Sequence, residues 1–324
     1  MTQNRPPYAV SVVLATYNSA RDVAHTLESI ARQTLDCVQE IVVVDDASTD
    51  DSRHVVLQFG DPRIRLVPLE SNRGVATARQ IGMETARCDW IAFTDADDVW
   101  LDDKLERQFA MLERNPDAVA CVGGSGRLHR DGRQQWLFKV GRWQWCPEDN
   151  PTPASPPTFR PALDGFAYLQ SLLVRREIAL LEAFKPQLKL MQDQDYMVRL
   201  GRHGRFITTE QPVFLYRLGY SNTTAPGNMK ARDFLANRDY LYRVVDALAS
   251  GNSEPDATSF LRDHVASAAE IDAFEFGQQF RYVNTLWVNQ GMSAAMFGLA
   301  MTFLKYPSST FRQVYRRILH WRSR

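Results

Sequence analysis

The chain has 324 residues, of which 44% are hydrophobic and 23% are charged, as in an ordinary globular protein. Its 38 basic and 38 acidic residues cancel, so no global charge favours nucleic acid as a partner. The four cysteines are widely spread without a C-x-x-C pair, which is typical of reduced thiols and speaks against a cysteine-bound metal.

The first part of the chain alternates between apolar runs and helical patterns. Strands are predicted over residues 9–15, 40–46, 61–67 and 90–93, and helices over 23–33, 49–59, 75–86 and 102–114. Such alternation predicts an α/β fold, with a doubly wound, mostly parallel sheet flanked by helices and joined by right-handed crossovers.

Two of the predicted strands end in carboxylates. Asp45 and Asp46 follow one apolar run, and Asp95, Asp97 and Asp98 follow another. Because α/β sheets bind ligands at the carboxyl ends of their strands, these acids predict one shared site. In extended backbone the two side chains of the Asp-x-Asp pattern would project to the same face. Two such carboxylates suit Mg²⁺ or Mn²⁺, which prefer oxygen ligands.

A structural alternative exists for the same acids. Asp is a preferred N-cap residue, so Asp97, Asp98 or Asp102 could simply cap the helix that follows. An Asp-x-Asp pattern is too short to decide between capping and metal binding. The decision rests on what the rest of the chain contains.

The middle of the chain is less regular. A strand is predicted over residues 118–122, a strand over 166–174, a helix over 191–202 and a strand over 212–217. Between them, residues 146–161 hold six of the sixteen prolines and follow three tryptophans. This segment is predicted to be a loop near the substrate, and the alternative is a plain surface excursion.

Residues from about 230 onward are predicted to be helical. The stretch 283–304 carries no charge, but polar residues interrupt it, which favours a packed helix over a membrane-spanning one. The tail after residue 304 is basic, which fits either a solvated helix face or a contact with anionic lipid headgroups. The N-terminus lacks a signal-peptide pattern, so the expected location is the cytoplasm, with peripheral contact at the inner face of the membrane through the tail.

Five motifs in order carry a resemblance to a known family. They are the segments VLATYN (13–18), IVVVDDASTD (41–50), NRGVATAR (72–79), WIAFTDADDVW (90–100) and QDQDYMVRL (192–200). Over residues 8–220 the chain resembles the family 2 glycosyltransferases, inverting enzymes of the GT-A fold. The resemblance implies a catalytic domain over 1–228, with a nucleotide-sugar half (1–115) and an acceptor and catalytic-base half (116–228). Residues 229–324 would form a helical C-terminal extension.

The resemblance also implies roles for residues of the donor site. The strand end around Ala15 and Tyr17 would hold the nucleotide base. Asp46 would accept a hydrogen bond from the base, with Asp45 beside it. Arg79 would lie near the donor diphosphate.

The remaining implied roles concern the metal and the chemistry. Asp95 would approach the ribose or the metal, and Asp97 would ligate the metal of this DXD motif. Asp193 corresponds to the catalytic base, although Gln192 replaces the Glu that usually precedes it; without the motif, Asp193 would be a helix-start acid. A carboxylate that takes the acceptor proton typically contributes about 10²- to 10⁴-fold, and one base without a separate nucleophile predicts inversion.

The sequence thus predicts a glycosyltransferase of cell-envelope polysaccharide synthesis. It would move a sugar from a UDP-sugar to a glycan or lipid-linked saccharide with Mg²⁺ or Mn²⁺. One alternative, motivated by Gln192, is a non-catalytic scaffold subunit that keeps the donor pocket. Another is a sugar nucleotidyltransferase, but residues 14–21 lack the Gly-rich basic phosphate loop it should carry.

Overall fold

The computed structural model describes residues 8–129, 132–140, 143–145, 158–159, 167–217, 230–267 and 270–271. All but two residues of the proline-rich loop, the uncharged stretch 283–304 and the basic tail lie outside the described residues. The expectations for substrate contact by the loop, for a packed helix and for a lipid contact therefore stay predictions.

Strand and helix alternate through the first part of the chain, as the sequence predicts. The elements are β1 (Val10–Thr16), α1 (Val23–Ala31), β2 (Val38–Asp45), α2 (Ser52–Gln58), β3 (Ile64–Pro68), α3 (Val75–Thr85) and β4 (Trp90–Asp95). Each predicted element is present, with ends shifted by a few residues.

The elements after β4 are more varied. They are β5 (Val99–Trp100), α4 (Lys104–Glu113), β6 (Ala118–Leu128), β7 (Gln134–Val140), β8 (Trp143–Trp145), β9 (Thr158–Phe159), β10 (Leu173–Arg175), α5 (Arg176–Ala179), α6 (Gln192–Leu200), β11 (Arg205–Arg217), α7 (Ala231–Ala249) and α8 (Ala257–Asp263). A single 3₁₀ turn, Leu169–Ser171, precedes β10.

One sheet joins most of these strands, in the order β3-β2-β1-β4-β10-β6-β11-β5. The first four strands are mutually parallel, and β11 is parallel to β6. The short strand β10 is antiparallel to both β4 and β6 and so joins the two parallel parts. The predicted α/β class is confirmed, and the sheet becomes mixed beyond β4.

Three predicted strands differ from the structure. β6 continues to Leu128 and β11 begins at Arg205, so both are longer than predicted. The glycines and serine that follow Val122 break the apolar pattern, which hides the second part of β6. The predicted strand over 166–174 is wrong for most of its length, because Leu169–Ser171 forms the 3₁₀ turn.

Hydrophobic side chains fill the space on both faces of the sheet. On β1, Val10, Val12 and Leu14 pack into one cluster with residues of α1 and α4. Val13 points to the opposite face and packs with residues of α3 and α6. Because every residue of β1 is buried, this strand carries a continuous apolar run rather than an alternating one.

The chain divides into two compact units. One comprises residues 1–218 with 240–258, and the other 219–239 with 259–324. The expected boundary between residues 228 and 229 falls among residues that are not described and stays a prediction. Within the described part of the chain, no helix is both long and apolar enough to cross a membrane.

The first residue of α4 is a lysine that lies in the protein core. Lys104 is fully buried, and its Nζ donates to the side-chain carbonyl of Gln108 (2.8 Å) and to the backbone carbonyl of Ser171 (3.4 Å). The ammonium also lies 4.8 Å from the centre of the Trp100 ring. Burial lowers the pKa of Lys104 from 10.5 to about 7, because the charged form loses its hydration.

This lysine makes stability depend on pH in a defined window. Between about pH 7 and pH 10 the unfolded chain binds a proton at Lys104 that the folded chain does not, so stability rises with pH there. We expect Lys104→Met to remove this dependence. As pH rises from 7 to 10, wild type should gain ~2 kcal/mol or more of unfolding free energy relative to the variant, measured by urea denaturation.

The matched control is Lys230→Met, because Lys230 is exposed. Its unfolding free energy should run parallel to that of wild type across the same pH range. Parallel curves for Lys104→Met and wild type would contradict the prediction.

Candidate functional site

The carboxyl ends of β1, β2 and β4 lie side by side. Thr16 pairs with Asp45 of β2, and Ala15 pairs with Asp95 of β4. The backbone N–H of Asp46 donates to the carbonyl of Thr16 (2.9 Å). The acids that follow the two strands therefore flank the end of β1, as the sequence predicts.

Asp46 fixes the loop that leads into α3. Its buried carboxylate accepts hydrogen bonds from the backbone N–H groups of Arg73 (2.7 Å) and Gly74 (2.8 Å). Gly74 has φ of +85°, a conformation that a residue with a Cβ rarely adopts. The Asn-Arg-Gly motif thus folds this loop against the end of β2.

Asp45 lies beside it with a different partner. The side chain is fully buried, forms an ion pair with Arg53 and accepts from the backbone N–H of Ser48 (3.2 Å). Tyr17 is 48% exposed and follows β1 at the same edge, whereas Ala15 is nearly buried. An exposed aromatic ring beside buried carboxylates can pack against a planar ligand and leave the acids to accept its hydrogen bonds.

Arg79, which is buried, forms an ion pair with the partly exposed Asp95 in the middle of this edge. The Nη2 atom of Arg79 donates to both carboxylate oxygens of Asp95 (2.6 and 2.9 Å), and Gln170 donates to one of them from the 3₁₀ turn. Burial opposes the Arg79 charge, but Asp95 and Asp193 outweigh it and raise the pKa of Arg79. Arg79 is therefore a fixed cation.

The acids after Asp95 do not continue the strand. β4 ends at Asp95, and a turn follows in which the N–H of Asp98 donates to the carbonyl of Asp95 (3.2 Å). The expectation that Asp95 and Asp97 share a face of extended backbone is wrong, because the chain bends between them. Arg217 at the end of β11 holds this turn: its Nε donates to the carbonyl of Asp97 and its N–H to Asp98.

Burial and the closeness of the acids raise the pKa values of Asp97 and Asp98. Burial and the neighbouring Asp95 charge raise the pKa of Asp97 to about 6. Burial raises the pKa of Asp98 well above its usual value, and Asp97 and Asp95 add to the rise. Helix α4 begins after Asp103 without any side-chain cap, so the alternative that one of the motif's acids caps this helix is not supported.

Asp193 lies in the first turn of α6, near Arg79. Burial raises the pKa of its carboxyl, and the Arg79 guanidinium limits the rise. Gln192 precedes it and is buried, with an Oε1 atom that has no hydrogen-bond partner. An acid with a raised pKa, close to a fixed cation, can accept a proton from a bound hydroxyl.

Strained backbone marks the same edge. Among the described residues, the non-glycine residues with positive φ are Asn18 (50°), Ala47 (59°) and Met191 (59°). Asn18 follows β1, Ala47 follows β2 and Met191 precedes α6. Each such backbone conformation costs about 1 kcal/mol or more of folding free energy, and in many proteins such residues cluster at functional sites.

Several buried polar atoms at this edge have no partner within the protein. They are Oγ1 of Thr16, Oδ1 of Asp45, Nη1 of Arg79, Oδ2 of Asp98 and the Oε1 atoms of Gln170 and Gln192. An unpaired buried polar group costs about 1–3 kcal/mol, so such a group calls for an explanation. A polar ligand at the strand ends would supply hydrogen bonds to these atoms.

Sequence reasoning missed Arg53, Gln170 and Arg217, which fix the acids in place. The available signal for Gln170 was a polar residue within an apolar run from Leu169 to Val174, and that run was misread as a strand. For Arg53 and Arg217 the local sequence carries no comparable signal, because the partners lie 8 and 120 residues away.

A network of ion pairs joins α6 to neighbouring segments of the chain. Arg199 donates to the fully buried Asp195 (2.7 Å) and pairs with Glu182. Glu254 joins the network through Lys185 (2.9 Å) and Arg202 (2.6 Å). The helix that carries Asp193 is therefore tied to the segment after α7, within the same compact unit.

Comparison with known proteins identifies the family. Residues 11–162 match the model of glycosyl transferase family 2. The chain carries a family 2 glycosyl transferase domain. The matched region contains nearly all of β1, all of β2 to β4 and the acids at the strand ends, and it confirms the family that the sequence motifs indicate.

Curated relatives resemble part of the chain. One is the UDP-Glc:alpha-D-GlcNAc-diphosphoundecaprenol beta-1,3-glucosyltransferase WfgD of Escherichia coli, 38% identical over 33% of this chain and 42% of its own. Another is the succinoglycan biosynthesis protein ExoO of Rhizobium meliloti, 40% identical over 43% of this chain and 39% of its own. The chain thus spans less than half the length of these relatives.

Solved structures share the fold over a longer range. TarS of S. aureus (residues 1–349), crystallised with UDP, has a TM-score of 0.57 and 17% sequence identity; the match covers 87% of this chain and 73% of that one. At this identity the likeness shows the fold alone, and it agrees with the predicted GT-A type.

The site's donors fit a metal that is shared with a ligand. Among the described residues, no group of three or more His, Cys, Asp or Glu side chains could hold a metal by itself. Asp95 is already engaged by Arg79 and Gln170, which leaves Asp97 as the available carboxylate. Mg²⁺ is often held by one or two carboxylates together with substrate phosphates, and this arrangement fits that pattern.

The loop held by Asp46 gives a test of this geometry. Asp46→Ala removes the acceptor of two backbone N–H groups, so we expect the unfolding free energy to fall by about 1–3 kcal/mol. Urea denaturation measures the change.

The control is Asp102→Ala, because Asp102 is exposed and its ion pair with Arg32 is exposed as well. This variant should stay within about 0.5 kcal/mol of wild type. If Asp46→Ala were as stable as that control, the anchoring role of Asp46 would be refuted.

Proposed function

We propose that this chain transfers a sugar from a UDP-sugar to a hydroxyl group of a saccharide acceptor, with inversion, in the synthesis of a cell-envelope polysaccharide. The observation that carries the proposal is Asp193, an acid of raised pKa near the buried Arg79, in a chain whose residues 11–162 match glycosyl transferase family 2. The names of the relatives support it, because one includes UDP-Glc as donor and another refers to succinoglycan biosynthesis.

The donor would bind across the ends of β1, β2 and β4. Tyr17 and Ala15 would contact the nucleotide base, and Asp46, with Asp45 beside it, would accept its hydrogen bond. Arg79 would face the diphosphate with its unpartnered Nη1 atom, while Nη2 stays fixed on Asp95. The buried Arg79 guanidinium would then face the donor diphosphate, on which negative charge grows during sugar transfer.

Asp97 would hold Mg²⁺ or Mn²⁺ together with the donor diphosphate, and Asp95 would lie beside it or near the ribose. The bound ion would neutralise charge on the departing phosphate as a Lewis acid. The chain itself keeps the acids of the motif close to the diphosphate through the turn that Arg217 holds.

Asp193 would take the proton of the acceptor hydroxyl as that oxygen attacks the anomeric carbon. Burial raises the pKa of this carboxyl and so improves it as a base. The positive end of α6 and the Arg79 charge keep it ionised before the transfer. A single carboxylate on the acceptor side, without a nucleophile of its own, predicts inversion.

A second candidate function is a scaffold subunit that binds the donor but does not transfer its sugar. Gln192 favours it, because an amide in place of the usual carboxylate removes a charge that would raise the pKa of Asp193 further. Donor binding by wild type without transfer to any acceptor, and without donor hydrolysis, would select this candidate.

Replacing the proposed base tests the catalytic assignment. We expect Asp193→Asn to lower the rate of transfer by about 10²- to 10⁴-fold and to leave UDP affinity unchanged. The rate is measured with UDP-glucose and a panel of monosaccharides linked to a lipid diphosphate, and the affinity by calorimetry. Glu177→Gln, an exposed acid in the first turn of α5, is the control and should transfer normally. Full transfer by Asp193→Asn would refute the assignment.

Metal dependence tests the role of Asp97. Wild type should bind UDP more tightly with Mg²⁺ or Mn²⁺ than with EDTA, and Asp97→Asn should bind it with the EDTA affinity under all three conditions. Calorimetric titration gives the affinities. Asp89→Asn changes an exposed acid at the opposite end of β4 and should keep the metal effect. A metal effect of wild-type size in Asp97→Asn would exclude Asp97 as the ligand.

A further inference from the structure

Two tyrosines, the exposed Tyr168 and the partly buried Tyr216, form an aromatic surface beside the acids. The rings of Tyr168 and Tyr216 stack with their centres 6.2 Å apart and an angle of 25° between their planes. Tyr168 also meets the fully buried Phe214 edge-on, at 5.7 Å. Although these contacts fix its ring, 42% of Tyr168 remains exposed. Neither tyrosine has a role in the function proposed above.

The turn that carries Tyr168 is held from the core. The carbonyl of Tyr168 accepts hydrogen bonds from the backbone N–H (2.9 Å) and the hydroxyl (2.7 Å) of Ser171. The carbonyl of Ser171 in turn accepts from the side chain of Gln108 (2.7 Å). An exposed ring on a fixed turn loses little conformational freedom when a ligand packs on it, which favours binding.

Both tyrosines lie next to residues that contact the acids of the site. Gln170, two residues after Tyr168, donates to Asp95, and Arg217, next to Tyr216, donates to Asp98 from its backbone. The pKa of Tyr168 is raised, mainly by burial, and the charges of Asp98 and Asp193 contribute to the rise. The aromatic surface therefore borders the site on the side of Asp193.

The position of this surface separates it from the donor residues. The ends of β1 and β2 and the loop held by Asp46 lie on one side of β4, whereas β11, which carries Tyr216, lies on the other side in the strand order. In the proposed function the base of the nucleotide has its aromatic neighbour in Tyr17. A ligand on the tyrosine pair is thus a different group from the nucleotide.

We propose that Tyr168 and Tyr216 form the platform on which the pyranose ring of the acceptor stacks. This inference rests on the proposed function and adds the residues that hold its second substrate. The C–H groups of one pyranose face would pack on the electron-rich face of the ring, as apolar and cationic groups do. The unpartnered Oε1 atom of Gln170 would accept a hydrogen bond from a sugar hydroxyl.

The test compares Tyr168→Ala with wild type in two kinds of binding measurement. The probes for the first are methyl β-D-glucopyranoside and its N-acetylglucosamine analogue at millimolar concentration, with UDP and Mg²⁺ present, observed by saturation-transfer NMR. We expect at least one of them to bind wild type through its ring protons, and the signal to be lost in the variant. The second measurement is calorimetric titration with UDP and UDP-glucose, in which both affinities should be unchanged.

Two further variants separate the ring from other effects. Tyr168→Phe keeps the aromatic face and should restore saccharide binding. Tyr242→Ala removes an exposed tyrosine on α7, 55% accessible, and should behave as wild type. In transfer assays, Tyr168→Ala should raise the acceptor KM on the order of tenfold without changing the donor KM.

Several results would overturn the platform. One is saccharide binding by Tyr168→Ala equal to that of wild type, and another is no saccharide binding by wild type. A third is a loss of affinity for UDP-glucose but not for UDP in Tyr168→Ala, which would assign the ring to the donor sugar. Failure of the proposed function looks different: wild type would bind the methyl glycosides in a Tyr168-dependent way but would transfer no sugar to any acceptor.

Discussion

The partly buried ion pair between Arg79 and Asp95 is the interaction on which the site depends. It joins α3 to the end of β4, and Gln170 adds the 3₁₀ turn to the same carboxylate. Removing Asp95 would leave the buried Arg79 guanidinium without this partner, and an unpaired buried charge is strongly destabilising. The same guanidinium acts on Asp193 and limits the rise of its pKa. One side chain thus sets both the position of the first acid of the motif and the charge of the proposed base.

Local pattern in the sequence was enough to predict the first half of the fold. From Val10 to Asp95, buried strands and amphipathic helices alternate without interruption, and the acids stand at the strand ends where parallel topology brings them together. Recognition of the motif order added the family and the candidate base. The fold and family predictions succeed because each depends on periodicity or on short spacing, whereas the candidate base stays a prediction.

The rest depends on contacts between distant residues, which spacing does not encode. The prediction that Asp95 and Asp97 share a face of extended backbone is wrong because the chain bends after Asp95. A hydrogen bond from Arg217, 120 residues away from Asp97, holds that bend. The 3₁₀ turn with Gln170 resembled a strand because its neighbours are apolar. The second part of β6 is rich in glycine, and its pairing with β11 rather than its own propensity makes it a strand.

The ion pairs beneath α6 have a consequence for how the chain could be recombined with its relatives. The family match ends at residue 162, yet the helix that carries Asp193 is held through Asp195 and Arg199 by Lys185 and Glu254, which lie beyond the match. A chimaera that joins the first half of this protein to the second half of a relative would keep its own donor side. The foreign half would place the counterpart of the proposed base correctly only if the counterpart of residues 240–258 came with it. An exchange of the region around the proposed base between such proteins should therefore include the segment around Glu254.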